Sequence, residues 1–496
     1  MKNIYLILII CFHSTLAQTQ WIQKGTDING ENAEDWSGRN ISMSSDGNTL
    51  AIGAIKNDGM ALDAGHVRVY EWISSTWIQK GADIDGEAEG DFSGYSVSLS
   101  EDGNTLAIGA PKNDGIALDA GHVRVYEWSN SDWIQKGDDI DGEAEGDESG
   151  WTVSMNSDGN TLAIGAPEND GAFVSAGHVR IYEWNSSNWI QKGADIDGEL
   201  PPDFSGAAIS LSADGNTLAI GAANNDGTES NAGHVRVYEW NNSAWIQKGT
   251  DVDGEAAGDF SGSAVWLSTD GNTLAIGAAN NDGIASSAGH VRIYEWNSST
   301  WIQKGADIDG EAADDFSGYS VSLSTDGNTL AIGAIKNDGM ALDAGHVRVY
   351  EWDSSAWIQK GVDIEGEAEG DFSGYSVSLS GDGNTLAIGA MKNDGTALDA
   401  GHVRVYQFSE VGIIENDYGN GLLIYPNPTD GDFSIDLGSN YKLVTITMTD
   451  VNGKLIQSNT YNESQLLELK LEAPAGVYFL IIESKGKKAT IRLMKE

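Results

Sequence analysis

The chain has 496 residues, and its 75 acidic residues against 28 Lys and Arg give a formal net charge of −47 at pH 7. This charge argues against nucleic acid and anionic membrane surfaces as partners, because both would repel the protein. Divalent cations, cationic patches and neutral glycans remain compatible with it. An acidic surface that keeps the protein in solution is the simplest interpretation.

The first 17 residues have the pattern of a secretory signal peptide. Lys2 gives a basic start, residues 4–12 form an apolar run, and residues 15–17 make a small-residue cleavage site. The run is too short to span a bilayer, which takes roughly 20 apolar residues, and no other stretch qualifies. We therefore expect an exported protein without a transmembrane segment. Because Cys11 is the only cysteine, the mature chain is expected to lack disulfides.

The pentapeptide W-I-Q-K-G recurs every 56 residues without an insertion. A fixed period of this length indicates one supersecondary unit that is repeated along the chain. The fold of residues 18–408 therefore follows from a single unit. The seven copies begin at Trp21, Trp77, Trp133, Trp189, Trp245, Trp301 and Trp357.

One unit predicts four short β-strands and no helix. Tyr95 to Ser100 alternates apolar and polar residues, and Asp102 to Asn104 supplies the positive-φ residues of a tight hairpin. Leu106 to Ala110 forms a second strand, His122 to Trp128 a third, and Trp133 to Lys136 a fourth. Four antiparallel strands in a unit of this length are typical of a β-propeller blade.

The two ends of the repeat array indicate a closed ring. The array begins on a fourth strand, Trp21 to Lys24, and ends on a third strand, His402 to Phe408. We expect Trp21–Gly25 to hydrogen-bond beside Val403–Tyr406, which would remove an exposed sheet edge. An open solenoid, the alternative, would need polar caps. The predicted fold is all-β: a seven-bladed propeller of four-stranded blades, followed by a small β-sandwich.

Strand alternation places the loops on two faces of the predicted ring. The first–second and third–fourth turns are tight and share one end of each blade. The long acidic segments share the other end, as with Asp83 to Asp91 between blades and Lys112 to Ala120 within one. Binding residues concentrate on loops that a rigid scaffold holds. We therefore expect any ligand on the acidic face.

Three segments of the unit resemble the FG-GAP repeats of integrin-α-type propellers: Phe92 to Gly94, Gly109 to Pro111, and the strand G-H-V-R-V-Y-E-W. The resemblance covers about residues 21–408. It departs from the family in that Ser93 separates the F from the G, and Pro stands in G-A-P at only two copies. Integrin-type repeats also carry a D-x-D-x-D-G calcium loop between the first two strands. Here that turn is S-E-D-G-N-T, so calcium at this turn does not follow from the resemblance.

After a linker over residues 409–422, residues 423–496 alternate as short strands and predict the β-sandwich. Several of their motifs resemble the C-terminal sorting domain of the Bacteroidota type IX secretion system. The resemblance implies recognition by that machinery, passage through the outer membrane, cleavage of the tail, and attachment to the surface or release. The residues that carry it are Tyr425, Pro426, Asn427, Pro428, Gly453 and Gly476.

One acidic loop is the candidate calcium site, because its four carboxylates stand at relative positions 1, 3, 5 and 9. Its Gly86 falls at position 4, whereas a calcium loop places glycine at 6, and the first copy has Asn29 in place of an Asp. If calcium binds there, EDTA lowers the melting temperature and calcium restores it. The four residues are Asp83, Asp85, Glu87 and Asp91.

Each unit also carries one histidine, such as His122. A catalytic or metal-binding histidine needs partners that converge on it, and the seven are one blade apart. We therefore expect a structural role, with the imidazole hydrogen-bonded to a neighbouring blade. The repeated pair Trp72 and Trp77 is expected to pack between blades.

An enzyme would have to break the sevenfold symmetry, because different groups must meet at one point. The residue after S-G differs between copies, Trp266 replaces a small residue, and Glu148 replaces Phe. These departures form no nucleophile–base pair, so we expect a protein that is not an enzyme. Some of the aromatic residues could instead form a platform for a ligand. The candidates are Trp36, Tyr95, Trp151, Trp266, Tyr319 and Tyr375.

The sequence favours a secreted or cell-surface binding or adhesion propeller whose ligand is a glycan or an extracellular protein. Near-identical units suit weak, multivalent contacts. Two alternatives stay open. One is an enzyme that acts on polysaccharide at the channel mouth, and the other is a structural surface-coat protein with cation-bridged acidic faces.

Overall fold

The computed structural model describes residues 20–409, 413–416, 418, 422–427, 429, 431–450, 454–474, 476–485 and 487–495. The predicted signal peptide and part of the predicted linker lie outside these residues, as do Pro428 and Gly453. None of the described residues forms a helix, so none forms one that could cross a membrane. By its contacts the chain divides into Trp21–Gln407 and a unit that contains Phe408–Glu496. The domain bounds 18–408 and 423–496 stay predictions.

Each of the seven repeats forms an antiparallel sheet of four main strands, as predicted. We number the blades by their first strands in chain order. The first strands are Ser37–Met43, Ser96–Leu99, Thr152–Met155, Ala208–Leu211, Ala264–Leu267, Ser317–Leu323 and Ser376–Leu379. The second strands are Thr49–Ala54, Thr105–Ala110, Thr161–Ala166, Thr217–Ala222, Thr273–Ala278, Thr329–Ala334 and Thr385–Ala390.

The outer half of each blade holds two further strands and a short fifth segment. The third strands are His66–Ile73, His122–Ser129, His178–Trp184, His234–Trp240, His290–Trp296, His346–Trp352 and His402–Ser409. The fourth strands, from blade 1 to blade 7, are Thr76–Gln79, Asp132–Gln135, Trp189–Gln191, Trp245–Gln247, Trp301–Gln303, Trp357–Gln359 and Gln20–Gln23. The two-residue strands that pair with the third strands are Ile84–Asp85, Ile140–Asp141, Ile196–Asp197, Val252–Asp253, Ile308–Asp309, Ile364–Glu365 and Ile28–Asn29.

The core lies between blades, where large side chains of one sheet meet small ones of the preceding sheet. Leu106 and Ile108 of blade 2 cluster with Ala51, Val67 and Val69 of blade 1. Both Leu106 and Ile108 are at most 1% exposed. The second strand T-L-A-I-G-A is buried along its whole length, because it has a sheet against each of its faces. Its alternation of large and small residues sets how closely the blades approach.

The N-terminal strand closes the ring, which confirms the predicted pairing. Gln20–Gln23 pairs with His402–Ser409. The Lys24 N–H donates to the Val405 carbonyl at 2.7 Å, and Ile28 lies opposite Val403. Blade 7 is thus built from both ends of the array, and its sheet has no missing strand.

A second ring of contacts runs around the base of the channel. After each first strand, a backbone N–H donates to the equivalent carbonyl of the next blade at 2.8 to 3.1 Å, until the last returns to the first. Such a cycle forms only when seven blades close on themselves. Its members are Ser45, Glu101, Ser157, Ala213, Thr269, Thr325 and Gly381.

The repeated pentapeptide acts as a latch between blades. The Trp133 indole N–H donates to the Lys80 carbonyl of the preceding blade at 2.8 Å. The Lys80 ammonium donates to the Gly103 carbonyl at 3.0 Å and lies 5.2 and 5.5 Å from the rings of Trp128 and Trp133. Burial lowers the pKa of Lys80. The latch explains why W-I-Q-K-G recurs without change.

The equivalent pair in blade 1 shows the packing that the sequence predicted. The rings of Trp72 and Trp77 lie 5.3 Å apart, and the Lys24 ammonium lies 5.2 and 5.4 Å from them. The Trp77 indole donates to the Lys24 carbonyl at 2.8 Å. The same latch therefore also joins the closing strand to blade 1.

The C-terminal unit is a sandwich of two sheets around a core that includes Phe433, Ile435 and Leu480. Part of the predicted linker belongs to it, since residues 413–416 form an edge strand and Leu422 lies in its core. The larger sheet has the order Ile413–Asn416, Lys487–Lys495, Gly476–Ser484, Val444–Asp450 and Leu455–Tyr461. The smaller sheet has the order Leu423–Tyr425, Asp432–Tyr441 and Ser464–Lys470.

Candidate functional site

The seven first strands line a central channel of about 550 Å³. Each first strand runs from the acidic face to the face that carries the tight turns, because it follows the connection between blades. The residue after each S-G pair therefore lies at the channel mouth on the acidic face. From blade 1 to blade 7 these residues are Arg39, Tyr95, Trp151, Ala207, Ser263, Tyr319 and Tyr375.

Five of these seven residues are in continuous contact, and we call them the aromatic arc. The rings of Tyr319 and Tyr375 lie 5.0 Å apart, and the Arg39 guanidinium lies 5.7 Å from the Tyr375 ring. Arg39 then stacks on Tyr95 at 3.5 Å, and Tyr95 meets Trp151 at 4.6 Å. The arc thus covers five consecutive blades with ring faces and one cation.

The other two mouth positions are Ala207 and Ser263. Their side chains are too small to reach across the mouth, so the channel is open on one side and walled by the arc on the other. Seven near-identical blades would otherwise present seven equivalent positions. Because of this asymmetry, the mouth has one distinct side on which a ligand could be oriented.

The charge state of the arc suits binding. Burial raises the pKa of Tyr95 to about 12, although the Arg39 guanidinium opposes that rise. Burial, followed by the neighbouring Tyr375, raises the pKa of Tyr319 further. Both phenols therefore keep their protons at neutral pH and can donate hydrogen bonds. The Arg39 guanidinium also donates to the Tyr95 carbonyl at 3.1 Å, which fixes its stacking position.

The arc contains four of the six residues proposed from the sequence, and it adds Arg39. Trp36 is not among the residues that line the channel. It lies under the Lys56 ammonium, 3.9 Å from its ring centre, and its indole nitrogen is buried without a hydrogen-bond partner. The sequence offered one signal for Arg39, namely its place in the variable position after S-G.

Trp266 lies in the channel wall, and it packs against the blade 6 cluster that contains Val321 and Leu323. In six blades a serine stands at this position and accepts a hydrogen bond from a backbone N–H of the next blade, as Ser42 does from Leu99 at 3.0 Å. Trp266 replaces that polar link by apolar packing. It therefore lies apart from the arc.

The four carboxylates proposed for calcium make separate contacts. Asp83 faces the His66 imidazole at 3.8 Å, whereas Glu87 faces His122 of the next blade at 3.9 Å. Asp85 contributes its carbonyl to Arg124, and burial raises the pKa of its carboxyl. Asp91 is 2% exposed and accepts hydrogen bonds from the backbone N–H of residue 88 and the amide of residue 113. Calcium binding by this loop stays a prediction.

The repeated histidines are buried between the second strand and the two-residue strand. Burial, followed by the adjacent arginine, lowers the pKa of His66, His346 and His402 to about 4. The predicted hydrogen bond to a neighbouring blade is wrong for at least four of them. Their buried Nε2 atoms have no partner; these are His66, His122, His234 and His402.

Glu148 takes the place of the Phe that five other blades have before S-G. It is 9% exposed and forms an ion pair with Lys112. Burial raises the pKa of Glu148 although Lys112 opposes this. In blade 6 the Phe316 ring lies 4.8 Å from Lys336 of the same blade, whereas the residue equivalent to Lys336 in blade 3 is Glu168, whose charge also raises the pKa of Glu148.

Replacing Glu148 by Phe is expected to stabilise the propeller by roughly 1 kcal/mol at pH 7, because the change removes a buried carboxylate whose pKa is raised by burial. A raised pKa means that the folded state holds the proton more tightly than the unfolded state. The contribution of Glu148 to stability therefore falls as the pH rises above the ordinary pKa of a glutamate. The free energy of unfolding gained by Glu148→Phe, measured by urea unfolding, should therefore grow between pH 4 and pH 7. Glu145→Gln, an exposed change in the same loop, should show no such growth, and a gain that shrinks with pH would contradict the argument.

In the C-terminal unit, Asn427 ties its loop to the last strand. Its amide donates to the Arg492 carbonyl and accepts from the Met494 N–H, both at 2.8 Å. Tyr425 is 48% exposed and is the last residue of the strand Leu423–Tyr425. Gly476 begins the strand Gly476–Ser484.

Two family models match parts of the chain, as the sequence resemblances predicted. The FG-GAP repeat matches residues 365–406, and the secretion system C-terminal sorting domain matches residues 423–496. The sorting-domain match indicates secretion and a cell-surface location, and the region before it contains one match to the FG-GAP repeat. The comparison with curated proteins found no match.

Among solved structures, similarity is found to a protein assigned as a 6-phosphogluconolactonase from Bacteroides uniformis. Its TM-score is 0.47 at 10% identity, over 85% of this chain and 100% of that one. Raptor from Chaetomium thermophilum has a TM-score of 0.49 at 12% identity, over 79% of this chain and 29% of that one. The Dos1 propeller has a TM-score of 0.40 at 10% identity, over 79% of this chain and 95% of that one.

Proposed function

We propose that this exported chain, whose FG-GAP repeats precede a secretion sorting domain, is a non-enzymatic binding propeller that holds a neutral glycan at the aromatic arc. The observation that carries the proposal is the arc itself. Four aromatic rings and the Arg39 guanidinium are in contact across five consecutive blades, and the two remaining positions are the small residues Ala207 and Ser263. Ring faces take the apolar faces of sugar rings, while the phenols and Arg39 can hydrogen-bond hydroxyls.

The shape of the channel favours one end of a glycan over a protein surface. The cup of about 550 Å³ has the size of a small-molecule site. A stable protein partner needs about 800 Å² of surface on each side, which is more extended than a concave mouth of seven residues. The net charge of −47 disfavours anionic sugars.

The lining of the channel supports binding over glycan cleavage. Glycoside hydrolysis ordinarily uses two carboxyl groups on either side of the scissile bond. Among the described residues that line the channel, Glu101 is the only carboxylate. It belongs to the hydrogen-bonded ring at the base, on the side away from the arc.

The test is a neutral-glycan array with the purified mature protein, followed by titration of the best ligand. Trp151→Ala is expected to weaken binding at least tenfold, because about 1.5 to 3 kcal/mol is lost when a large apolar contact is removed. Phe173→Ala is the matched control, since Phe173 is a 49% exposed aromatic of the same blade outside the arc. Equal affinities of both variants, or turnover of any bound glycan, would overturn the proposal.

A further inference from the structure

Outside the channel, each blade brings together one histidine and two carboxylates that are distant in sequence. In blade 2 these are Glu87 from the preceding connection, His122 from the third strand, and Asp139 from the following connection. One ligand atom from each lies within 4.8 Å of the others. We call this group the Glu–His–Asp cluster. Further groups are Glu31–His66–Asp83, Glu143–His178–Asp195, Glu199–His234–Asp251 and Glu367–His402–Asp27, and two more groups of at least three metal-ligating residue types occur.

The three ligand atoms of the cluster are slightly farther apart than the ligands of one bound ion. His122 Nδ1 lies 3.9 Å from Glu87 Oε2 and 3.8 Å from Asp139 Oδ2. Both distances are too long for hydrogen bonds. Ligand atoms about 2.0 to 2.2 Å from one tetrahedral ion are about 3.3 to 3.6 Å apart, so small movements of the exposed carboxylates would bring the three atoms to one ion.

Each carboxylate has one oxygen held by the protein and the other directed at the imidazole. Gln135 donates to Asp139 Oδ1 at 2.6 Å, and the Arg124 guanidinium lies 3.6 Å from Glu87 Oε1. The glutamine contact recurs in all seven blades at 2.5 to 2.6 Å. The arginine contact recurs at 3.4 to 3.7 Å. Such outer contacts orient the ligands of metal sites.

The imidazole supplies an observation that is independent of the acidic residues. His346 is 1% exposed, and its Nδ1 is buried without a hydrogen-bond partner. Glu311 Oε2 lies 4.0 Å from it. An unpartnered buried nitrogen costs about 1 to 3 kcal/mol, so a ligand that it could bind would relieve that cost.

The cluster is open to solvent on its acidic side. Asp139 and Glu87 have side chains that are 34% and 47% exposed, whereas His122 is 2% exposed. An ion can therefore reach the cluster from the acidic face, and water can complete its coordination. Calcium prefers six to eight oxygen ligands, but a neutral imidazole with two carboxylates suits a first-row transition ion.

We propose that each Glu–His–Asp cluster binds one divalent transition-metal ion of the zinc class, through the histidine Nδ1 and one oxygen of each carboxylate. Each ion would join two successive inter-blade connections to one third strand. In blade 7 it would join Asp27 of the N-terminal segment to His402 and Glu367, and so fasten the closure of the ring. The proposal is independent of the glycan site at the channel mouth.

The test is equilibration of the metal-stripped mature protein with Zn²⁺, followed by desalting and elemental analysis. About seven ions per chain are expected, one for each cluster. Glu87→Gln should lower the count by about one, whereas Glu89→Gln should leave it unchanged. Both residues lie in the same exposed loop, and both changes remove one charge. His122→Ala should also lose one ion, and X-ray absorption of bound zinc should show one imidazole ligand per ion.

Three results would overturn the proposal. One is a zinc content below one ion per chain. Another is equal loss from Glu87→Gln and Glu89→Gln, which would show diffuse binding to the acidic surface. The third is full displacement of zinc by equimolar Ca²⁺. Because Glu87 is half-exposed and outside the core, its glutamine variant decides the matter even if His122→Ala does not fold.

Discussion

A chain that begins at Glu31, without the closing strand, is expected to lose the cooperative unfolding transition of the propeller. Trp21 and Ile28 are each 5% exposed in blade 7, and loss of each buried side chain costs about 2 to 5 kcal/mol. The deletion also exposes the edge of His402–Ser409, which invites association. Size-exclusion chromatography and thermal unfolding by circular dichroism would measure both effects.

Addition of a peptide of residues 20–30 should restore the transition if the effect arises from the open edge. Trp133→Ala serves as a matched control, because Trp133 makes the same indole contact as Trp21 within an uninterrupted stretch of chain. It should lower the melting temperature without causing association. A truncated chain that stays monomeric and melts at the wild-type temperature would show that the ring does not depend on its closure.

Gly109→Ala is expected to destabilise the propeller by about 3 kcal/mol or more, through steric conflict between blades. A Cβ at Gly109 would overlap the carbonyl oxygen of Gly150 in blade 3 and the hydroxyl of Ser96 in the first strand. The backbones already meet there, since the Gly150 N–H donates to the Gly109 carbonyl at 3.1 Å. Urea unfolding would give the loss in free energy.

Gly90→Ala separates this steric effect from ordinary backbone strain. Gly90 has a φ of +81°, and a Cβ there would meet nothing within 4 Å. Its replacement should cost about 1 to 2 kcal/mol, the price of a left-handed conformation. If the two variants lost equal stability, the close approach of neighbouring blades at Gly109 would not be limiting.

Much of the fold was predictable because the repeat supplies each local signal seven times. The T-L-A-I-G-A strand, the D-G-N turn and the fourth strand W-I-Q all lie where the period-2 pattern and turn residues place them. The closure was predictable for another reason: one end of the array lacks the strand that the other end carries.

The candidate site was predictable only in part. Tyr95, Trp151, Tyr319 and Tyr375 could be found because they interrupt the repeat, and they do lie together. Trp36 and Trp266 interrupt it too, but their side chains face Lys56 and the inter-blade core. Departure from the repeat shows which positions vary, not the direction in which a side chain points.

The sequence by itself determined the number of blades, the order of strands, the ring closure and the face that carries the acidic loops. These properties depend on the repeat period and on strand direction, and both can be read along the chain without knowledge of which side chains meet. Only the tertiary structure decided which carboxylates share a histidine, because Glu87 and Asp139 come from different connections on either side of His122. The spacing along one loop predicts that Asp83 and Glu87 bind the same ion. In the structure, Asp83 faces His66 and Glu87 faces His122 of the next blade.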